Sequence, residues 1–427
     1  MEVALAGYGQ EGESSFKYWK SLGANITIFD EKQPTREIPE GTKTYFEQDA
    51  FSKMNDFDFV IRTAGLNPNN IKTNSKIWSA TNEFFKQCTA PIIGVTGTKG
   101  KGTTASLIAE ILKQAGETVH LLGNIGIPAL GELAKIKPTD IVVFELSSFQ
   151  LWDLEKSPET AVVLMIEADH VDVHASMEEY INAKANIGLH QTEKDLLIYH
   201  PTNTYSAKIA SRSSAQKKRY STPEGAYVSD GSILIEENTV CSVDEVSLIG
   251  AHNLENICAA VTAAWDCTQN IAAIRKAVIE FTGLPHRLEV VAQKNGVTYI
   301  DDSFSSAPGA TIAAIKSFTQ PEILICGGYD RDLDFTDLAI AISEQQNVKK
   351  IILIGQTNKK IADALDKVGV DSYQVIETKN FSEIIKIAIG NAEEGDVIVL
   401  SPGCASFDMF KDFKDRSDQF QKIVKEL

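Results

Sequence analysis

The sequence predicts an α/β protein of three consecutive domains, each built on a parallel sheet between helices. Three observations predict it. At 427 residues the chain is longer than one hydrophobic core organises, since domains run to roughly 100–200 residues. Short apolar runs alternate with helical stretches along the whole chain, the pattern of β-α-β units. The alternation also restarts twice, which divides the chain into segments 1–90, 91–283 and 284–427.

In the first segment Val3–Ala6 reads as a strand, followed by a helix to about Leu22 and strands at Ile26–Phe29 and Phe59–Ile61. In the second, strands are expected at Ile92–Val95, Thr118–Leu122, Ile141–Phe144 and Ala161–Ile166. Ser211–Asp230 is polar and basic and leads into a hairpin-like stretch, so it reads as a surface excursion outside the core. The third segment offers strands at Thr298–Asp301, Ile323–Cys326, Lys350–Ile354 and Val397–Leu400. Neither a fixed-period repeat nor a low-complexity tract interrupts this plan.

Composition narrows the function. Hydrophobic residues make up 43% and charged residues 23% of the chain, enough apolar surface for packed cores. No run approaches the ~18 apolar residues of a membrane span, and Met1–Ala6 enters a strand without a basic region or cleavage site. A cytoplasmic monomer acting on small molecules, without membrane or nucleic-acid partners, is expected. Cys88, Cys241, Cys258, Cys267, Cys326 and Cys404 contain no CxxC pair, which argues against zinc and disulfides and makes most of them small buried hydrophobes. A net charge of −17 opposes nucleic-acid binding, so any anion must be met locally by glycine-rich turns and single cations.

The sharpest signal is the strand Ile92–Val95 followed by Thr96-Gly97-Thr98-Lys99-Gly100-Lys101-Gly102-Thr103-Thr104. Glycines let N–H groups turn onto phosphate oxygens, the next helix adds its positive end, and Lys101 reaches the terminal phosphates. Val95 and Gly102 depart from a strict Walker A pattern. A second turn, Gly7-Tyr8-Gly9-Gln10-Glu11-Gly12 with Asp30 after the next strand, has the form of a dinucleotide fingerprint. Its physics, a helix N-terminus offered to a diphosphate, serves UDP and NAD alike.

Other candidates stand singly. Glu145 closes an apolar strand, where a carboxylate needs a partner or a metal. It reads either as a cap or ion-pair residue or, facing the phosphate loop, as a magnesium ligand. His170 sits among Glu167, Asp169 and Asp172 and by itself reads as a structural histidine. Lys184, in the helical stretch Glu178–Gly188, is by its sequence alone a solvated surface charge. Asn253 and Asn256 lie three apart on a helix, as a cap and polar face or as an adenine contact.

Taken together, the phosphate loop, Gly123–Gly126, Glu145–Leu151 (ELSSFQL), Asp169–Asp172, Ala251–Asn256, His286–Glu289, Asp301–Ser303 and Ser401–Asp408 (SPGCASFD) resemble the Mur ligases of cell-wall synthesis. ELSSFQL and the final SPxCASxDxF are the most specific of these motifs. The resemblance spans nearly the whole chain and points to the branch that adds D-glutamate to UDP-N-acetylmuramoyl-L-alanine through an acyl-phosphate. It implies Rossmann-like first and third domains around a P-loop-type mononucleotide-binding second one.

The resemblance also implies roles. Gly97, Thr98, Lys99, Gly100, Lys101, Gly102 and Thr103 would hold ATP phosphates, Asn253 and Asn256 the adenine, Arg287 the γ-phosphate and Asp302 the ribose. Thr103, Glu145, His170 and a carbamylated Lys184 would serve two magnesium ions. Gly9, Gln10, Asp30, Thr63, Gly65, Asn124, Ser147 and His170 would meet the UDP-linked substrate, and Ser306, Arg331, Ser406, Phe407 and Phe413 the amino acid. Lys101, Glu145, His170, Lys184 and Arg287 form the implied catalytic set.

Several positions depart from the family pattern. Thr63-Ala64-Gly65 replaces Ser-Pro-Gly, Met165 an Asn, Ser306 a Thr, Arg331 a Lys, and Phe304 a Lys that follows Asp-Ser. The missing cation at Phe304 keeps a second ligase reading open, one with L-glutamate or another amino acid. An NAD-dependent dehydrogenase would use Gly7, Gly9, Gly12 and Asp30 but leaves the Lys101 loop without a purpose. A non-catalytic nucleotide-binding regulator is the third alternative.

Overall fold

Val3, Leu5, Ile26, Ile28 and Ile61 pack with Phe16 and Trp19 on one face of a sheet, and Ala4, Ala6, Phe29 and Val60 pack with Phe51 and Met54 on the other. Successive strand residues point to opposite faces, so a strand covered on both sides must be apolar throughout. This is why the short apolar runs became strands. The computed structural model describes residues 1–125, 127–168, 173–248 and 250–427.

The first sheet holds β1 (Glu2–Ala6), β2 (Asn25–Asp30), β3 (Lys43–Phe46), β4 (Phe59–Arg62) and β5 (Lys76–Ser79), with α1 (Gln10–Ser21) and α2 (Ala80–Gln87). Its strands run parallel in the order β3-β2-β1-β4-β5, a doubly wound arrangement. The second sheet contains β6 (Ile92–Thr96), β7 (Val119–Gly123), β8 (Ile141–Glu145), β9 (Thr160–Val163), β10 (Leu196–Tyr199) and β11 (Gln216–Arg219). It too is parallel, in the order β11-β10-β9-β6-β8-β7. Its helices are α3 (Lys101–Gln114), α4 (Ser148–Leu151), α5 (Met177–Leu189) and α6 (Thr204–Ala210). Chain order spreads to both sides of β6, which places the switch point, the usual ligand crevice, at the carboxyl end of that strand.

An antiparallel meander follows, β12 (Ala226–Ser229), β13 (Ser232–Ile235) and β14 (Asn238–Ser242). Its first turn, Asp230-Gly231, has both residues at positive φ (47° and 71°), the geometry that joins twisted strands by two residues. Helices α7 (Ala251–Trp265) and α8 (Ile271–Glu280) come next. The last sheet is β15 (Glu289–Lys294), β16 (Val297–Asp301), β17 (Glu322–Gly327), β18 (Val348–Ile354), β19 (Tyr373–Val375) and β20 (Val397–Leu400), in the order β15-β16-β20-β17-β18-β19. Only β15 is antiparallel to its neighbour. Helices α9 (Pro308–Ile315), α10 (Thr336–Glu344), α11 (Asn358–Lys367), α12 (Phe381–Gly390) and α13 (Phe413–Glu426) complete it, α10 and α11 on one face and α12 and α13 on the other. The chain divides into two compact units, Met1–Val246 with Leu254–Glu280, and Ser247–Asn253 with Phe281–Leu427.

Two expectations need correction. The stretch 211–230 is not an excursion apart from the sheet: Gln216–Arg219 pairs with β10 as the exposed edge strand β11, and Ala226–Ser229 opens the meander. Lysines and arginines suit an edge, where charge discourages further pairing, so polarity concealed a strand. The strand expected at Ala161–Ile166 ends at Val163, because the Met165 carbonyl turns to accept the Thr98 N–H at 2.9 Å. Five of the cysteines are buried, and Cys267 is exposed. Among the described residues no helix is long and apolar enough to cross a membrane.

One core position works against stability. Glu322, at the start of β17, is fully buried, and among the described residues neither carboxylate oxygen has a hydrogen-bond partner. Burial first, and the charge of Asp302 second, push its carboxyl up to about 8 from an ordinary 4.5. The folded protein therefore binds this proton more tightly than the unfolded chain does. The resulting stability is full below about pH 4.5 and is lost as the pH rises toward about 8. Glu322→Gln should remove that decline, on the order of a few kcal/mol across the window; urea unfolding followed from pH 5 to 8 would read it as a flatter slope than the parent's.

Candidate active site

In the first unit the loop from Gly97 to Gly100 joins β6 to α3. Gly100 stands before the helix at φ +81°, and a side chain there would lie 2.2 Å from the Asn256 Oδ1. Both facts require glycine. Among the described residues α3 has neither a side-chain cap nor an acid in its first turn, so its positive end faces the loop without a carboxylate of its own. Thr98 is fastened from several sides: its hydroxyl lies 3.1 Å from the Glu167 carbonyl and from the Tyr180 hydroxyl, and it accepts the Glu167 N–H at 2.9 Å.

Two lysines converge on this loop. The Lys101 amine donates to the Gly97 and Thr98 carbonyls at 3.1 and 2.9 Å. The Lys184 amine donates to the same Gly97 carbonyl at 2.8 Å and to the Thr96 hydroxyl at 3.3 Å, and lies 4.8 Å from the Tyr180 ring centre. Lys184 is 1% exposed. The surface reading of this residue is thus overturned: α5 turns the side chain inward beneath the phosphate loop. Lys99, by contrast, is exposed and faces Glu167 at 3.4 Å.

Glu145 ends β8 next to β6 and is buried. It is neither a cap nor an ion-pair residue among the described residues; its Oε1 accepts the Asn124 amide at 3.1 Å. Thr103 is buried in the first turn of α3, and the Thr104 hydroxyl donates to the Asn256 Oδ1 at 3.4 Å. Asn253 and Asn256 are both buried on α7, but only Asn256 belongs to the first unit, Asn253 falling in the second. His170 lies outside the described residues.

Near the first sheet, the Asp30 Oδ2 accepts the Tyr8 N–H at 2.9 Å, so this carboxylate braces the glycine turn. Gly12 presses so close that a side chain would meet the Gly7 carbonyl oxygen at 2.4 Å. A cavity of about 210 Å³ is lined by Gln10 and Glu11 of α1, Ala64, Asn124, Gln150 and neighbouring residues. It brings Gln10 and Asn124 together; Ser147 stands behind it as the cap of α4, exchanging hydrogen bonds with Gln150. Thr63 donates to the Ala6 carbonyl at 3.2 Å, while Gly9 and Gly65 are exposed.

In the second unit Arg287 lies 4.6 Å from the Phe304 ring centre. Asp302 is buried, accepting from Ser401 at 2.6 Å, from Ser305, and from the Leu288 N–H at 3.2 Å. Burial nonetheless raises its carboxyl to about 6. Arg331 is exposed and lies 5.8 Å from the Phe407 ring centre. Its acidic neighbours Asp330 and Asp332 instead face Lys360 at 3.3 and 3.4 Å. Phe304 packs edge-on to Phe413, Ser406 is buried and Ser306 exposed. Buried Arg416 donates to the Ser303 and Cys404 carbonyls at 2.8 and 3.2 Å, tying together the two loops that carry these residues.

Comparison with known proteins decides the family. The Mur ligase middle domain matches residues 95–264, and a Mur ligase, glutamate ligase domain matches residues 286–404. A UDP-N-acetylmuramoylalanine–D-glutamate ligase of Clostridium tetani is 38% identical over 100% of this chain and 97% of its own length. The chain belongs to the Mur ligase family. The same named ligase of Acetivibrio thermocellus is 37% identical over 100% of this chain and 96% of its own. Among solved structures, MurF from Acinetobacter baumannii superposes with a TM-score of 0.65 at 16% identity, over 100% of this chain and 93% of that one. The UDP-N-acetylmuramate–alanine ligase of Thermotoga maritima gives 0.60 at 17%, over 100% and 99%. These two share the three-domain α/β fold of the Mur ligases.

Sequence reasoning gave no role to Thr96 and Glu11, although both stand inside the two glycine-rich turns, and missed Arg62, Asp153 and Arg416. Of these three only Arg62 left a trace, as a cation closing the apolar run Phe59–Ile61. The loop geometry carries a direct test. Gly100→Ala should cost about 1–2 kcal/mol for the left-handed backbone, plus the displacement of Asn256. Chemical denaturation should show that loss, and a variant as stable as the parent would mean that the loop adopts another conformation.

Proposed function

We propose that this Mur ligase joins D-glutamate to UDP-N-acetylmuramoyl-L-alanine with conversion of ATP to ADP and phosphate. The observation that carries the nucleotide site is the convergence of Lys101 and Lys184 on the Gly97 carbonyl, with Glu145 buried at the end of the neighbouring strand. The substrates are those in the names of relatives matched over the full chain. We take residues 1–90 as the acceptor domain, 91–283 as the ATP domain and 284–427 as the amino-acid domain.

The residues fit the groups this reaction requires. Among the described residues the first turn of α3 carries no acid and no side-chain cap, which suits a phosphate at its positive end, and Thr103 and Glu145 supply the hard oxygen donors magnesium prefers. Magnesium, held by these with His170 and a carbamylated Lys184, would neutralise crowded phosphate charge. The acceptor carboxylate attacks the γ-phosphorus, whose bond to the bridging oxygen breaks to release ADP, and an acyl-phosphate forms; the neutral amino group of glutamate then attacks that carbonyl, phosphate departs and the nitrogen gives up a proton to leave the amide. Lys101 stabilises charge on the phosphoryl oxygens, as would Arg287, while Asp302 meets the ribose. Asn253 and Asn256 serve the adenine. Gln10, Asn124, Thr63, Gly65 and Ser147 serve the acceptor, with Asp30 holding their turn.

Two amines at one carbonyl also support the carbamate reading, because carbon dioxide converts the Lys184 cation into an anion beside Lys101. A carbamate carbon resonance in protein equilibrated with labelled bicarbonate, lost in Lys184→Met, would establish it; no such resonance in the parent would refute it. Lys101→Ala should lower ligation by roughly a thousandfold with the fold intact, measured as phosphate release. A well-folded variant retaining more than about a tenth of the parent rate would remove Lys101 from this role.

Arg331 is the proposed holder of the glutamate side-chain carboxylate, through its planar fork, with Ser306, Ser406, Phe407 and Phe413 around it. The diversion of Asp330 and Asp332 to Lys360 supports this. Arg331→Ala should raise the KM for glutamate at least tenfold, about 1.4 kcal/mol, and leave that for ATP unchanged. Phe304 in place of a lysine favours the second ligase reading, a different amino acid. Turnover compared across D-glutamate, L-glutamate, D-aspartate and L-lysine decides between the two.

A further inference from the structure

The C-terminal residue of β4 is an arginine with no exposed surface. Arg62 forms a two-pronged pair with Asp153, Nε to Oδ2 at 2.7 Å and Nη2 to Oδ1 at 2.5 Å. The same Nη2 donates to the Phe149 carbonyl at 2.8 Å, and Nη1 lies 3.3 Å from the Leu66 carbonyl and 3.5 Å from those of Thr63 and Ala64. One guanidinium thus holds two segments from different sheets, 63–66 beyond β4 and 149–153 within and after α4.

Both segments are braced again from outside. The Asn82 amide donates to the Asp153 carbonyl at 2.7 Å and its Oδ1 accepts the Glu155 N–H at 2.8 Å. On the other side, Glu11 accepts the Ala64 N–H at 2.6 Å, although burial pushes the Glu11 carboxyl up. Glu11 and Ala64 are walls of the 210 Å³ cavity that Gln10, Asn124 and Gln150 also line.

Burying a guanidinium against a part-exposed carboxylate is seldom the most stabilising use of a strand position, since an apolar side chain of similar volume does as well or better. What an arginine fork supplies and an apolar group does not is fixed geometry at several carbonyls at once. We propose that Arg62 and Asp153 are a positioning pair that presets the loop 63–66, and with it the Glu11–Ala64 wall of the cavity, for the uridine diphosphate part of the acceptor. This rests on the acceptor reading of that cavity. Arg62 is too deeply buried to touch the ligand and acts through the loop it holds.

Asp153→Asn keeps size and removes charge; Arg62→Met keeps most of the volume and removes the fork. UDP binding by calorimetry and steady-state kinetics on the full chain would compare them with the parent. Both variants should weaken UDP binding and raise the KM for UDP-N-acetylmuramoyl-L-alanine by about tenfold or more, with kcat and the KM for ATP within about threefold. A lowered melting temperature and kcat with unchanged UDP affinity would make the pair a stability element only and overturn the proposal, as would an equal rise in the KM for ATP. Should Arg62→Met not fold, Asp153→Asn decides alone. UDP binding is read without turnover: a parent that binds UDP but does not ligate this acceptor contradicts the proposed reaction, unchanged UDP binding in the variants contradicts the pair, and a parent that binds no UDP contradicts both.

Discussion

A chain of net charge −17 that handles polyphosphate has to cancel anionic charge within a few ångströms, because its long-range field repels the ligand and is screened beyond about 8–10 Å. The first unit meets that constraint at the carboxyl end of β6. There the positive end of α3, with no acid in its first turn among the described residues, coincides with the Lys101 cation, and Lys184 lies beneath the same loop. The parallel topology makes the coincidence possible: β6 lies between β8 and β9, so α3, Glu145 and the chain carrying Met165 and Glu167 all arrive at one edge. Lys184 reaches the loop from α5, whose Ser176 cap and acidic first turn fix where that helix starts.

Most of the fold was legible because doubly covered strands are apolar at every position. Strands that break this rule were not. β3 is largely exposed, β11 is all polar, and β15 has no buried residue, and each sits at a sheet edge, where packing no longer dictates composition. The candidate site divides the same way. The phosphate loop announces itself because glycine, lysine and threonine must be neighbours in sequence to meet a phosphate, whereas Lys184 could be found only through the family resemblance. A buried amine on a helix has the same local sequence as an exposed one, and what separates them is the packing of α5 against the loop.

Arg62 and Asp153 show that limit most sharply. They are ninety-one residues apart and neither sits in a motif, so nothing local connects them. The energetics are also ambivalent: desolvation of the Arg62 guanidinium offsets much of its attraction to the part-exposed Asp153, while removal of that carboxylate leaves a buried cation with carbonyl partners alone. Selection for stability alone would not require the pair. Its position does, because the loop 63–66 is anchored in packing only through the part-buried Leu66, with Gly65 exposed before it.

The second unit distributes charge by a similar economy. Arg287 lies against the Phe304 ring, a contact worth about 0.5–1 kcal/mol at a partly exposed site. A lysine at 304 would replace that attraction by repulsion between two cations. In the proposed reading, the phenylalanine at 304 is therefore coupled to the placement of Arg287, and the cation for the amino acid's side chain would come from elsewhere. Arg331 is suited to it, since Lys360 occupies the flanking aspartates and Phe407 offers its ring as a platform. In the proposed reading, the positive charge for the carboxylate is carried by a planar fork in place of a flexible point charge, which would constrain the direction of the bound carboxylate more tightly than its affinity.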